Sequence, residues 1–85
     1  MRLPRDISGR QLSTLLSGRG YVVTRQKGSH MRLTTTVRGT HNVTIPDHDA
    51  LRIGTLSSIL TDVAAHFGIT RDELTEEMFG GTHDL

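Results

Sequence analysis

Eighty-five residues allow one domain with a thin core, since a chain of this length buries only about 60–70% of its unfolded surface. The absence of cysteine excludes a disulfide framework and any thiolate metal site, and no apolar run approaches the ~20 residues that span a bilayer. The net charge of +1 conceals a polarity: residues 1–45 carry eight Lys/Arg against the single acid Asp6, whereas residues 46–85 carry Arg52 and Arg71 against eight acids, which points to a polyanion contact on one side.

The first residues, Met1 to Asp6, lack the apolar stretch of a signal peptide, so a soluble, cytoplasmic protein is expected. Ser8 is placed to cap a first helix over about residues 9–18, with Gln11 completing a capping box. Ile7 and Leu12 suit a hydrophobic staple across that cap. Leu12, Leu15 and Leu16 follow helical spacing and face a core, and Gly18 and Gly20 supply stop signals.

Three strands are expected next. Tyr21 to Gln26 is rich in β-formers, and Lys27-Gly28 reads as a turn. From Ser29 to Val37 the chain alternates. Met31, Leu33, Thr35 and Val37 fall on one face, and His30, Arg32, Thr34 and Thr36 fall on the other. Arg38-Gly39-Thr40 is a second turn, and His41 to Ile45 is a third strand with Val43 and Ile45 inward. Pro46 is expected to end pairing because it has no N–H to donate. Turns this short imply an antiparallel meander.

Leu56, Ile59, Leu60, Val63 and Phe67 then mark one face of a second helix that stops at Gly68. Thr70 and Glu73 form another capping box and start a third helix, with Leu74, Met78 and Phe79 on its apolar side. The order α-β-β-β-α with one appended helix gives an α+β fold of two layers, a three-stranded antiparallel sheet with helices on one face. One domain over residues 1–80 is expected, with 81–85 as a flexible tail. Double-stranded-RNA-binding domains share this order, although topology alone does not assign function.

Chemistry concentrates in Arg25-Gln26-Lys27-Gly28-Ser29-His30. If Met31 and Leu33 pack under helices, His30 and Arg32 project from the open face of the sheet. Cations hold phosphates, and an imidazole moves protons near neutral pH. RNA carries its own nucleophile, the 2′-hydroxyl. A protein that cleaves it needs a base, an acid and positive charge for the phosphorane, and no metal is required. His30 suits base or acid, and Arg25, Lys27 and Arg32 suit phosphate contact. Gly28 lets the backbone approach a phosphate, and the Ser29 hydroxyl can donate to it.

Gly28-Ser29-His30 after Arg25-Gln26-Lys27, then Pro46-Asp47-His48, then Gly54-Thr55-Leu56 with Ile59-Leu60, together resemble the HicA toxin family. The resemblance covers about Ile7 to Leu74. It implies a fold like a double-stranded-RNA-binding domain and a messenger-RNA interferase dependent on His30. It also implies inhibition by a HicB-type antitoxin that covers the site. The chain departs from the pattern in its acidic segment from Thr70 to Leu85, which is expected either to dock on the basic face or to alter partner contacts.

The second proton-transfer group is open at this point. His48 is the candidate by motif and His41 by its place beside a turn, whereas His66 and His83 are read as structural or idle. No ligand spacing for a metal appears, and no cofactor is implied. The alternative reading is a non-catalytic double-stranded-RNA-binding module, which would use the same basic face without titration. A protein-interaction domain with an acidic partner is a third.

Overall fold

A computed structural model describes residues 3–80. The expected tail at 81–85 lies outside the described residues. Three helices and three strands follow the order read from the sequence: α1 (Gly9–Leu16), β1 (Val22–Lys27), β2 (His30–Thr35), β3 (His41–Pro46), α2 (Ile53–Phe67) and α3 (Arg71–Phe79). The strands form one antiparallel sheet in the order β1-β2-β3.

Both capping boxes form. The Ser8 hydroxyl accepts from the Gln11 N–H at 3.0 Å while the Gln11 side chain accepts from the Ser8 N–H at 2.8 Å. Thr70 and Glu73 repeat the arrangement at 3.0 and 2.8 Å. α1 stops at Leu16, two residues before the expected end, because the chain tightens into a 3₁₀ turn over Ser17–Arg19.

The core lies between the sheet and the helices. Leu12 and Leu16 of α1 meet Met31, Leu33, Val43 and Ile45 from the sheet and Leu56, Leu60 and Val63 from α2, all buried. Leu74 of α3 is fully buried in the same cluster. The acidic segment is therefore no loose appendage. The Glu77 carboxylate takes a two-pronged hydrogen bond from the Arg19 guanidinium, which lies 4.7 Å over the Phe67 ring. That pairing raises the Arg19 pKa further. α3 thus sits on the helical side against α2, and docking of its nine residues on the basic face is ruled out.

Three strand details correct the sequence reading. The first turn is Gly28-Ser29, one residue later than expected, with Lys27 still in β1. Gly28 takes φ 58°, which a primed hairpin turn needs at its first central position. β2 ends at Thr35, so Val37 is 47% exposed and not on the inner face. Pairing does end at Pro46, but Pro46 is itself the last residue of β3, opposite His30, so the strand runs one residue further than expected. The proline is tolerated because β3 is an edge strand with one unpaired side.

Candidate functional site

The register fixes what His30 faces. β1 and β2 place Lys27 opposite His30 and Arg25 opposite Arg32. Directly paired residues project on the same face, so these four side chains share the side of the sheet that the helices leave open. All four are exposed.

Strict alternation alone does not produce this array. Val23 pairs with Leu33 on the core side, and two residues on it would return Arg25 to that same side. The register instead shifts between Val23 and Arg25, so Thr24 and Arg25 together oppose Arg32. This is a β-bulge, and bulges re-aim the side chains that follow them. Thr24 is therefore a residue the sequence reading passed over. Its signal was the conflict of an apolar Val23 and a charged Arg25 in one phase of the alternation.

The hairpin end is fixed to the rest of the molecule. The Asp47 N–H donates to the Ser29 carbonyl at 2.6 Å. The Asp47 carboxylate takes two hydrogen bonds from the Arg10 guanidinium, at 3.1 and 2.9 Å, and one from the Gln26 amide at 3.3 Å. Gln26 also donates to the Gly28 carbonyl at 3.2 Å. α1 meets the same loop, with the Gly9 N–H on the His48 carbonyl at 3.0 Å and the Leu51 N–H on the Ile7 carbonyl at 2.8 Å. Arg10, Gln26 and Asp47 are thus structural supports of the turn, and the sequence spacing of 37 residues between Arg10 and Asp47 hid their link.

The histidines separate by face. His48 is exposed in the loop after β3, whose neighbour Asp47 is bonded to the turn beside His30. His41 pairs with Thr35 on the core side of the sheet, opposite to His30. Its Nε2–H donates to Asp62 at 3.2 Å, and the Tyr21 hydroxyl lies 2.7 Å from Nδ1. Burial pushes the Tyr21 pKa up to about 12, and Asp62 adds to the rise. His66 stacks on His41 with centroids 4.6 Å apart and donates to the Val37 carbonyl at 2.9 Å. His41 and His66 therefore brace the sheet against α2, and His41 has no access to a group held at His30. His83 lies outside the described residues. No three His, Asp or Glu side chains gather as a metal-binding group among the described residues.

Charge on the open face is unbalanced. Arg10, Arg19 and Arg71 each pair with an acid. Arg25, Lys27 and Arg32 pair with no described acid. Like charges placed directly across a strand pair are destabilising, so Arg25 opposite Arg32 costs the sheet some stability. A groove of about 500 Å³ lies elsewhere, between the N-terminal segment, α1 and Phe79 of α3, and includes none of these residues.

The family model for the HicA toxin of bacterial toxin–antitoxin systems matches residues 9–64. The chain belongs to the HicA toxin family. The match runs from the start of α1 through most of α2, so it contains the whole hairpin and excludes α3. Membership makes the protein a toxin of a toxin–antitoxin module with a HicB-type antitoxin as its counterpart. No curated protein and no solved structure matches the chain. No helix among the described residues is long and apolar enough to cross a membrane.

Proposed function

We propose that this HicA-family toxin is an endoribonuclease that cleaves messenger RNA without a metal ion, using His30 for proton transfer. The observation that carries the reading is the cross-strand array itself. An exposed imidazole faces Lys27, an unpaired Arg25 faces Arg32 one row away, and no described acid offsets them. A sheet gains nothing from such a pairing, whereas an RNA phosphate would relieve it.

The chemistry follows from the substrate. His30 takes the proton of a ribose 2′-hydroxyl, the 2′-oxygen attacks the adjacent phosphorus, and the P–O5′ bond breaks. The products are a 2′,3′-cyclic phosphate and a 5′-hydroxyl, whose oxygen collects a proton from an acid or from water. Arg25, Lys27 and Arg32 stabilise the charge that builds on the phosphorane. The Gly28-Ser29 turn lets the backbone and the Ser29 hydroxyl approach the phosphate. His48 is the candidate for the second proton transfer, since its loop is joined to the turn through Asp47 and Ser29. A HicB-type antitoxin that covers this face would block the RNA and silence the toxin.

Incubation of the purified chain with total RNA in excess chelator tests the reading. The expected products end in 2′,3′-cyclic phosphate and 5′-hydroxyl groups. Salt-sensitive RNA binding with no cleavage at any pH would instead establish the non-catalytic RNA-binding alternative.

A further inference from the structure

The open face continues beyond the basic rows. Next along β2 after Arg32 comes Thr34, which pairs with Val22 on β1 and Asn42 on β3. Three side chains form a hydrogen-bonded row across the sheet there. The Thr34 hydroxyl donates to Asn42 Oδ1 at 2.6 Å, and the Thr24 hydroxyl lies 2.9 Å from that of Thr34. With Thr34 donating to Asn42, the Thr24 hydroxyl points its proton between the Thr34 hydroxyl and the Arg32 carbonyl, which lies 3.4 Å away. Asn42 Oδ1 is engaged by Thr34, Asn42 is exposed, and no described residue accepts from its Nδ2. Thr24 is the bulge residue, so the feature that aims Arg25 outward also supplies the first member of this row.

We infer that Asn42 is a substrate-binding residue, donating from Nδ2 to a phosphate or ribose oxygen of the RNA chain that passes over Arg25 and Arg32. The inference rests on the ribonuclease reading above. Successive outward residues on a strand are spaced by roughly 7 Å, so Thr34 and Asn42 lie one row past Arg32 and two rows, about 13 Å, past His30. The face then offers a succession of donors along β2: His30 with Lys27, Arg32 with Arg25, and the Asn42 amide. The aromatic residues Tyr21, Phe67 and Phe79 all lie in the helical layer or its core, so no Phe or Tyr ring on this face stacks a base. The donors of this row suit the oxygens of the sugar-phosphate chain. A row of neutral donors past the cations holds the strand without adding to the like-charge repulsion of Arg25 and Arg32.

Asn42→Asp is the informative variant. The carboxylate still accepts from Thr34, so the row and the fold persist, but the outward donor becomes an anion facing the RNA. Cleavage of a messenger-length transcript should show KM raised about tenfold or more with kcat little changed, as expected for loss of one hydrogen bond to a charged group. Asn42→Ala provides the second reading, with a smaller rise in KM and an unchanged slope of log affinity against log salt, because a neutral donor releases no counterion. Arg32→Ala, by contrast, should flatten that slope by about one. KM within twofold of the parent for both Asn42 variants would overturn the inference while leaving the ribonuclease reading intact, provided His30→Ala is inactive on the same transcript. An active His30→Ala would remove the reading beneath it.

Discussion

Gly9 is where the fold and the site depend on one hydrogen atom. As the first residue of α1, it presses on the end of β3. A Cβ built there would overlap the Pro46 carbonyl oxygen, standing 3.0 Å from the Pro46 carbonyl carbon and 3.3 Å from Asp47 Cα. Every one of these atoms is backbone, so no side chain can swing aside. Restoring carbon contact distances of about 3.5 Å would push the start of α1 back by about 1 Å or more. That displacement stretches the 3.0 Å hydrogen bond from the Gly9 N–H to the His48 carbonyl and loosens the Arg10–Asp47 clamp. Overpacking costs about 1–3 kcal/mol, and the strained hydrogen bond adds about 1 kcal/mol. Better helix propensity returns at most about 1 kcal/mol. The net loss for Gly9→Ala is about 1–3 kcal/mol, which lowers the midpoint of thermal unfolding by roughly 4–24 °C in a domain this small. Circular dichroism melting of parent and variant measures it directly. Because Asp47 is bonded to Ser29, RNA cleavage should also fall at temperatures where the variant is still folded. A variant as stable as the parent, or more stable as helix propensity alone requires, would refute the close-contact argument.

Tyr21 gives the molecule an alkaline limit. Its folded pKa of about 12 exceeds the unfolded value of 10.0, so its contribution is complete below pH 10 and disappears as the pH rises through 12. The residue is 1% exposed, but its hydroxyl bonds to His41, whose side chain is 18% exposed, and solvent there trims the effect to about 1–2 kcal/mol. Urea unfolding at pH 8 and pH 11 should show that loss in the parent and little of it in Tyr21→Phe. Anchoring of α3 is tested by Arg19→Ala, which removes both the Glu77 pair and the cation over Phe67 and should cost about 1–2 kcal/mol. Glu77→Ala removes only the pair and should cost less, and equal losses would deny the ring contact any weight.

Local rules made the helices legible. Ser8 with Gln11 and Thr70 with Glu73 cap their helices as spelled, because a capping box is complete within four residues. The apolar stripe from Leu56 to Phe67 is buried as read, and so are Val43 and Ile45. What the sequence concealed depends on pairing between distant segments. The bulge at Thr24 exists only relative to Arg32, and a strand read alone does not show where its partner gains a residue on it. The missing N–H of Pro46 predicts a strand that stops before it, but β3 is an edge strand and includes Pro46 as its last residue. Val37 fits the alternation and still leaves the core, because Arg38 and Gly39 turn the chain at positive φ directly after it. His30 was placed outward by phase alone and is exposed, whereas the choice between His41 and His48 needed the two faces of the sheet.

Replacing one exposed imidazole is the sharpest test of proton transfer by His30. His30→Ala removes a side chain with no packing role, so its unfolding midpoint should match the parent within about 0.5 kcal/mol. This folded variant is expected to leave RNA intact and no longer to arrest growth when expressed. Cleavage at the parental rate by the same folded protein would contradict that role.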